Sequence, residues 1–324
     1  MTRTATPARA FLAAPLALVV LAALTAGGCA ATGPGGPGDR EDPDLLRVVA
    51  AFYPLRFVAE RVGGDRVSVA PLTPPGVEAH DLELTPSLVS EIAGADLVIY
   101  LSGFQPAVDD TVTAYARLAL DVAEVVPLIG TDHGRGGGGQ DDDHQDDDQD
   151  HGAADPHLWL DPDRLATIAA EMATSLGTID ARGADHYTTG AAELRQELAA
   201  LDTAYAAGLA VCQRREIVVS HAAFGYLADR YDLTQIAITG LSPEDEPTPQ
   251  RLAEVIHEAQ RHGATTIFFE VLVSPRVAQV IAEQVGAGTA VLDPIEGLAP
   301  GSDEDYLSVM RTNLDALRAA LECE

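Results

Sequence analysis

The sequence contains no lysine: its 20 basic residues are all arginine, and they stand against 50 aspartates and glutamates, which gives a formal net charge of −30. A chain with so negative a charge repels phosphate backbones and anionic lipid headgroups, and it attracts cations. We therefore expect no nucleic-acid partner and no membrane contact through the protein surface. Because 47% of the residues are hydrophobic, the composition still indicates a globular chain.

The N-terminal apolar run falls short of the ~20 residues that a membrane-spanning helix needs. This run, Ala10–Ala26, follows two arginines and precedes Gly27 and Gly28, a pattern typical of an export signal. The next residue, Cys29, completes a stretch that resembles a bacterial lipobox, which implies cleavage before Cys29 and acylation of its thiol. An ordinary secretory signal with an incidental cysteine is the alternative.

The export signal divides the N-terminal 44 residues into two predicted segments. Residues 1–28 form a lipoprotein signal peptide, and residues 29–44, which are rich in Gly and Pro, form a flexible tether. The protein is then expected on the outer face of the cytoplasmic membrane, held there only by its lipid anchor. Beyond Cys29 the chain has two cysteines, Cys212 and Cys323. In an exported protein they suggest one disulfide, between the start of the second half of the chain and its C-terminus.

The remaining chain alternates short β-rich runs with helical stretches. Such alternation implies parallel sheets covered by helices on both faces. Four strands precede a long proline-free helical stretch and four follow it. This predicts an α/β fold with two four-stranded lobes, residues 45–183 and 211–324, bridged by one long rigid helix at 184–210 and with a site between the lobes. The predicted strands are Leu46–Phe52, Val67–Leu72, Asp96–Leu101, Val122–Val126, Glu216–Ser220, Thr234–Ile238, Thr265–Glu270 and Thr289–Leu292.

Three histidines and one aspartate follow predicted strands. His80 comes after the second strand and His157 after the fourth, whereas His221 and Asp293 directly follow the fifth and the last. Open α/β sheets bind ligands beyond the carboxyl ends of their strands, so these side chains are expected to meet. Three imidazoles and a carboxylate suit zinc, whereas calcium or magnesium would require more oxygen ligands. The alternative is that each histidine only caps a turn.

Six motifs extend over nearly the whole mature chain. They are Phe52–Leu55 (FYPL), Gly76–Pro86 (GVEAHDLELTP), Asp155–Pro162 (DPHLWLDP), Ser220–Tyr226 (SHAAFGY), Phe269–Glu270 (FE) and Leu292–Pro294 (LDP). In this order they resemble the metal-binding lipoproteins of bacterial ABC importers, specifically the zinc-type members of solute-binding protein family 9 (cluster A-I). As an ordered set the motifs are highly specific.

The resemblance implies a non-enzymatic protein, expected to be a monomer, that captures Zn²⁺ and delivers it to the permease and ATPase subunits of an ABC importer. The family's metal ligands fall on His80, His157, His221 and Asp293. Members with glutamate in place of the third histidine look manganese-type, so His221 favours zinc. Many members have glutamate where this chain has Gln105, which puts a local hydrogen-bonding role there in doubt.

The acidic loop at residues 132–151 is likewise a feature of zinc-type members. Like charges at this density predict a disordered insertion. We hypothesise that its histidines bind zinc weakly and raise the local ion concentration; they are His133, His144 and His151.

Two glutamates are predicted to orient the ligands. Metal-bound histidines usually donate their second ring N–H to a carboxylate or a carbonyl. Glu270, at the end of its strand, and Glu78, beside His80, are placed for this role. The alternative for each is a solvated or capping carboxylate.

Other functions remain open at this point. One is a manganese-type binding protein of the same family, and another is a secreted zinc-dependent hydrolase, because a three-histidine zinc site activates water when its fourth position is open. The chain has no HExxH pair and no serine-centred nucleophile elbow, and a carboxylate at Asp293 would close the coordination. A third is a zinc-dependent adhesin or storage lipoprotein. If the protein is a binding protein, we expect its zinc affinity to fall below about pH 6.5, where the histidines become protonated. We also expect metal binding to move loops more than lobes.

Overall fold

A computed structural model describes residues 45–130 and 154–324. The predicted signal peptide, the lipidation site Cys29 and the tether lie outside these ranges, as do His133, His144 and His151 of the acidic loop. Among the helices of the described ranges, none combines the length and the apolar character that crossing a membrane requires.

The first lobe is built on a four-stranded parallel sheet with the strand order β2-β1-β3-β4. Strand β1 lies between β2 and β3, so the chain direction across the sheet reverses there. The strands are β1 (Leu46–Ala50), β2 (Val67–Pro71), β3 (Leu97–Tyr100) and β4 (Ala119–Asp121), and the helices are α1 (Tyr53–Gly63), α2 (Pro86–Gly94), α3 (Pro106–Tyr115) and α4 (Val122–Val125).

The second lobe repeats this topology, with the strand order β6-β5-β7-β8 and all pairs parallel. The two sheets confirm the predicted α/β fold class with two four-stranded units. The strands are β5 (Glu216–Val219), β6 (Thr234–Ala237), β7 (Thr266–Phe269) and β8 (Gly288–Val291), and the helices are α7 (Gly225–Tyr231), α8 (Pro249–Arg261), α9 (Arg276–Val285) and α10 (Tyr306–Leu321).

One predicted strand was wrong. The apolar run Val122–Val126 was expected to be the fourth strand, but that strand is Ala119–Asp121 and the following residues form α4. The cause is Asp121, whose side chain accepts a hydrogen bond from the backbone N–H of Ala123. An aspartate in this position satisfies a free N–H at a helix start, so it ends the strand and begins a helical turn.

Two long helices connect the two sheets along the chain, α5 (Pro162–Ile179) and the 25-residue α6 (Ala184–Gly208), and α6 packs against helices of both lobes. Leu194, Leu198 and Leu201 of α6 recur at helical spacing and are buried. One continuous hydrophobic core contains these leucines together with residues of both sheets. A shared core resists rotation of one lobe against the other. The lobe boundaries at 183 and 211 stay a prediction.

An arginine of the second lobe ties both long helices together. Arg230, on α7, places its Nε 2.6 Å from Asp202 Oδ1 on α6 and 3.3 Å from Asp161 Oδ1 at the start of α5. Tyr231 donates a second hydrogen bond to Asp202. These contacts support the expectation that metal binding moves loops more than lobes.

The C-terminus is fastened to the second lobe by the predicted disulfide between Cys212 and Cys323. Cys212 follows α6, and Cys323 follows α10. The two cysteines also form an antiparallel bridge through their backbones. The disulfide therefore fixes the end of α10, a helix that reaches the candidate site through Asn313.

Candidate metal centre

His80 lies in the loop after β2, and the second lobe holds this loop in place. Gly76 donates its backbone N–H to Leu298 O (2.8 Å) with a φ of +81°, and a Cβ there would lie 2.6 Å from Pro300 Cγ. Only glycine adopts this conformation and leaves room for Pro300. The His80 ring packs edge-on against Phe104.

Gln105 has a defined role in the same loop. Its buried side chain donates to Ala79 O (2.7 Å) and to Thr73 Oγ1 (3.2 Å). Both bonds hold the loop that ends at His80. The departure from glutamate thus retains a hydrogen-bonding function: the amide can donate to a carbonyl, whereas a carboxylate only accepts.

His157 follows Pro156 and is fully buried. The Oδ1 atom of Asp155 lies 2.8 Å from its Nδ1 and accepts a hydrogen bond from its backbone N–H (2.9 Å). Because a carboxylate accepts, Nδ1 carries the hydrogen and Nε2 faces the site. Trp159 forms the apolar wall beside the imidazole, with its ring 5.3 Å away. The role of Asp155 was not predicted from the sequence, although its position two residues before His157 was a usable signal.

His221 lies two residues after the end of β5, at the point where the strand order of the second sheet reverses. The adjacent strand β7 ends at Phe269, and the following Glu270 places its Oε1 atom 2.6 Å from His221 Nδ1. Ser220 also donates its hydroxyl to this carboxylate. The predicted orienting carboxylate thus contacts a ligand ring. The second one, Glu78, accepts a hydrogen bond from the backbone N–H of His80 (3.2 Å), not from its ring.

The three imidazoles converge on one carboxylate, that of Glu296. Its Oε1 atom lies 3.5 Å from Nε2 of His80, 3.1 Å from that of His157 and 3.2 Å from that of His221. The four candidate ligand atoms all lie within 4.8 Å of one another. Three of these residues are buried and His80 is half-buried. Three imidazole nitrogens and one carboxylate oxygen form a donor set that suits tetrahedral zinc.

Asp293, the predicted fourth ligand, is not in this group, and Glu296 takes its place. Asn313 of α10 grips the backbone of Asp293 from both sides: its Oδ1 accepts from Asp293 N (2.9 Å) and its Nδ2 donates to Asp293 O (2.7 Å). The Asp293 carboxylate in turn accepts from the N–H of Ile295 (2.7 Å). Asp293 therefore shapes the turn that presents Glu296.

The turn between Asp293 and Glu296 contains an unusual backbone conformation. Ile295 is fully buried and has a φ of +61°, in the left-handed region that β-branched residues rarely adopt. Trp159 secures the same turn by donating its indole N–H to Pro294 O (2.7 Å). Strain of this kind persists where the surroundings fix it, and such strained positions cluster at functional sites.

The charges of the metal-free site are mutually stabilising. Burial alone would lower the pKa of His221, but contacts with Glu270 and Glu296 outweigh it and raise that pKa to about 10. Burial likewise acts against the cation of His157, and Asp155 and Glu296 raise its pKa. Burial would raise the pKa of Glu296, but the three histidines hold it well below its ordinary value. Contact with Glu296 thus favours the protonated imidazoles of His157 and His221, and they in turn favour its ionised carboxylate.

Two carboxyl groups beside the site differ from Glu296. Burial, followed by the neighbouring Glu296 carboxylate, raises the pKa of Glu78 to about 9. Burial also raises the pKa of Asp293 to about 6. With a pKa of about 9, Glu78 favours its neutral form at pH 7. With a pKa of about 6, Asp293 stays mostly ionised at that pH.

These pKa values predict a pH dependence that differs from the sequence expectation. Zinc must displace the protons of His221 and His157, so its affinity should rise with pH through the whole interval from about 6.5 to about 10, rather than level off above 6.5. The stability that protonated His221 gives the metal-free protein has the opposite sign: it is fully present below about 6.5 and is lost as pH rises through about 10. Competition against a chelator from pH 6.5 to 8 measures the zinc affinity. An affinity that does not change over this range would contradict the raised pKa values of His221 and His157.

The sequence profile described as "ZnuA: Zinc-uptake complex component A periplasmic" matches residues 48–320. The chain belongs to the ZnuA family. The high-affinity zinc uptake system protein ZnuA of Bacillus subtilis (strain 168) is 33% identical over 313 residues, which cover 94% of this chain and 97% of that protein. Membership of the ZnuA family confirms the resemblance found in the motifs, and it makes the chain a metal-binding component of a transport system.

Other ZnuA-family relatives match at similar identity. Zinc-binding lipoprotein AdcA of Streptococcus pneumoniae (serotype 4) is 32% identical over 86% of this chain, but the chain spans only 56% of AdcA. The crystal structure of the Zn(II)-bound ZnuA-like domain of AdcA has a TM-score of 0.71 at 30% identity and covers 86% of this chain and 99% of that one. The structure of Lmb of Streptococcus agalactiae, a protein described as having adhesin and metal transporting activity, has a TM-score of 0.74 at 30% identity. The match covers 85% of this chain and 99% of Lmb.

Proposed function

We propose that this protein captures Zn²⁺ outside the cytoplasm and delivers it to the permease and ATPase of a membrane ABC importer. One observation carries the proposal: three imidazole Nε2 atoms and one carboxylate oxygen converge within 4.8 Å of one another in a largely buried site. The residues proposed to hold the ion are His80, His157, His221 and Glu296. The names of the relatives from B. subtilis and S. pneumoniae, both of them zinc proteins, support this cargo.

The donor set favours zinc over manganese. Imidazole suits zinc, whereas carboxylate, carbonyl and water oxygens suit manganese. The third position of the site is His221, not a carboxylate, and its ring is oriented by Glu270. A donor set of three nitrogens and one oxygen therefore suits Zn²⁺. The net charge of −30 attracts cations in general and does not distinguish the two metals.

The same geometry supports a binding role over hydrolysis. A catalytic zinc site keeps a coordination position open for water, whereas a closed site has four protein ligands. Here the fourth donor is Glu296, which reaches all three histidines. In our proposal the protein is a monomer that performs no chemistry on the ion, and an anchor at Cys29 keeps it beside its importer.

A metal titration of the full mature chain tests the capture step. Zinc and manganese are titrated separately in competition with a chromophoric chelator, with His221→Ala as the variant that lacks one proposed ligand. We expect one tight zinc site in the wild-type chain, weaker manganese binding, and no tight site in the variant. Equal or tighter manganese binding, or no tight site at all, would contradict the proposal.

Uptake measurements test the delivery step. Deleting the gene should reduce zinc accumulation by cells grown at low zinc, and excess zinc should restore growth. An unchanged rate of uptake would instead favour a storage or adhesion role, even if the purified protein binds zinc tightly.

A further inference from the structure

Two short segments of the first lobe, Ile129–Gly130 and Ala154–Asp155, pair with each other, and their pairing contains an inserted group. Asp155 donates its N–H to Ile129 O (3.0 Å), and Gly130 and Ala154 form an antiparallel bridge. In a regular antiparallel pair, Ile129 would return a hydrogen bond to Asp155 O. Instead the hydroxyl of Tyr226 lies between them: it accepts from Ile129 N (3.0 Å) and donates to Asp155 O (2.8 Å).

Tyr226 comes from the other lobe, from the first turn of α7, and it is firmly held. Its side chain is only 2% exposed. The Arg164 guanidinium lies 4.7 Å from the centre of its ring and donates to Pro127 O (2.6 Å). Burial raises the pKa of Tyr226 to about 12, so the hydroxyl keeps the proton that it donates.

The residue that Tyr226 holds is the one that orients a ligand. Asp155 makes two contacts with His157, one to the backbone N–H and one to Nδ1. Its second carboxylate oxygen faces the neighbour of Tyr226: a Cβ at Gly225 would overlap Asp155 Oδ2. Tyr226 therefore holds the backbone of Asp155, and the missing side chain at Gly225 leaves room for its carboxylate.

We propose that Tyr226 is a positioning residue of the zinc site, which acts through Asp155 on the imidazole of His157. The inference rests on the proposed function. In this proposal the segment from His221 to Tyr226 has two roles. It supplies the ligand His221, and it positions the ligand His157 of the other lobe. The two histidines, whose Nε2 atoms lie 3.3 Å apart, are thus set by one piece of chain.

Removing the hydroxyl tests this role against a purely structural one. Tyr226→Phe leaves Ile129 N and Asp155 O without their shared partner, so the backbone of Asp155 keeps only the hydrogen bond from its N–H to Ile129 O. Mutations of outer-shell partners typically cost 10–100-fold in metal affinity, so we expect about a tenfold loss of zinc affinity. The visible spectrum of Co²⁺ bound at the site should change shape as well, because it reports the geometry of the ligands.

Tyr231→Phe is the matched control. It makes the same chemical change on the same helix, at a residue that is 6% exposed and donates to Asp202 (2.9 Å), on α6. Its zinc affinity and Co²⁺ spectrum should equal those of the wild type, while metal-free thermal unfolding shows how far each variant is destabilised. Wild-type affinity and spectrum in Tyr226→Phe would overturn the inference, and so would an equal loss in both variants.

A second variant keeps the inference testable if Tyr226→Phe does not fold. Gly225→Ala leaves the hydroxyl in place but pushes on the Asp155 carboxylate. It should weaken zinc and alter the Co²⁺ spectrum in the same direction, and an unaltered site would overturn the role assigned to Asp155. The wild-type arm separates the two proposals: a wild type that fails to bind zinc removes the proposed function, whereas normal wild-type binding with an unaltered Tyr226→Phe site removes only this inference.

Discussion

Glu296→Gln should weaken zinc binding about 100-fold or more, because even outer-shell partners are worth 10–100-fold and this residue is a proposed ligand. The substitution keeps the shape of the side chain and removes the charge that contacts all three histidines. Loss of that carboxylate also lowers the pKa values of His157 and His221, which reduces proton competition and offsets only part of the loss of a ligand. Chelator competition at pH 7 measures the change.

Asp293→Asn provides the comparison that identifies the fourth ligand. It makes the same change from acid to amide in the same turn, and the amide oxygen can still accept the hydrogen bond from Ile295 N. Zinc affinity should stay within about tenfold of the wild type, at the lower end of outer-shell effects. If Asp293→Asn proved as damaging as Glu296→Gln, Asp293 would have to enter the coordination sphere as the sequence motif predicted.

Replacing both bridged cysteines, Cys212→Ser with Cys323→Ser, should lower the free energy of unfolding by about 4–5 kcal/mol, the chain-entropy value for a closed loop of ~100 residues. The disulfide closes a loop with a sequence separation of 111. It restricts the unfolded chain over the whole second lobe, so its loss favours the unfolded state. Urea unfolding of the metal-free protein gives the difference.

A reducing agent supplies the control for the disulfide. The wild type under reduction should unfold at the urea concentration of the double variant, and the double variant should be insensitive to the same agent. A difference of less than about 1 kcal/mol between the oxidised wild type and the double variant would show that the cross-link adds little to a lobe whose end is already packed through α10.

Much of the site could be predicted from the sequence because its histidines obey a rule of topology. His221 lies two residues beyond the end of β5, and the ends of parallel strands meet along one edge of a sheet. His80 and His157 lie farther along the chain, in the segments that follow β2 and β4, and the order of the strands was enough to assign them to the same edge. Glu270, which follows β7, was found in the same way.

Glu296 could not be found by that rule. It lies beyond the end of β8, and it reaches the site through a turn in which Ile295 adopts a left-handed conformation. Nothing in the residue type signals this, since a β-branched residue is among the least expected at positive φ. The turn is imposed by distant partners, Asn313 and Trp159, whose contacts exist only in the folded chain. A motif ending in Asp293 therefore pointed to the start of the turn rather than to its functional end.

The paired stems at Ile129–Gly130 and Ala154–Asp155 have a practical consequence for protein engineering. The backbone pairing between the stems and the Tyr226 hydroxyl that bridges them hold both stems in place. Doubling the length of a flexible loop costs only about 0.6 kcal/mol in closure entropy. A reporter peptide or fluorescent module inserted between these stems should be tolerated. Only three residues, Ala154 to Pro156, would separate it from His157, which makes the position a candidate for converting the protein into a zinc sensor.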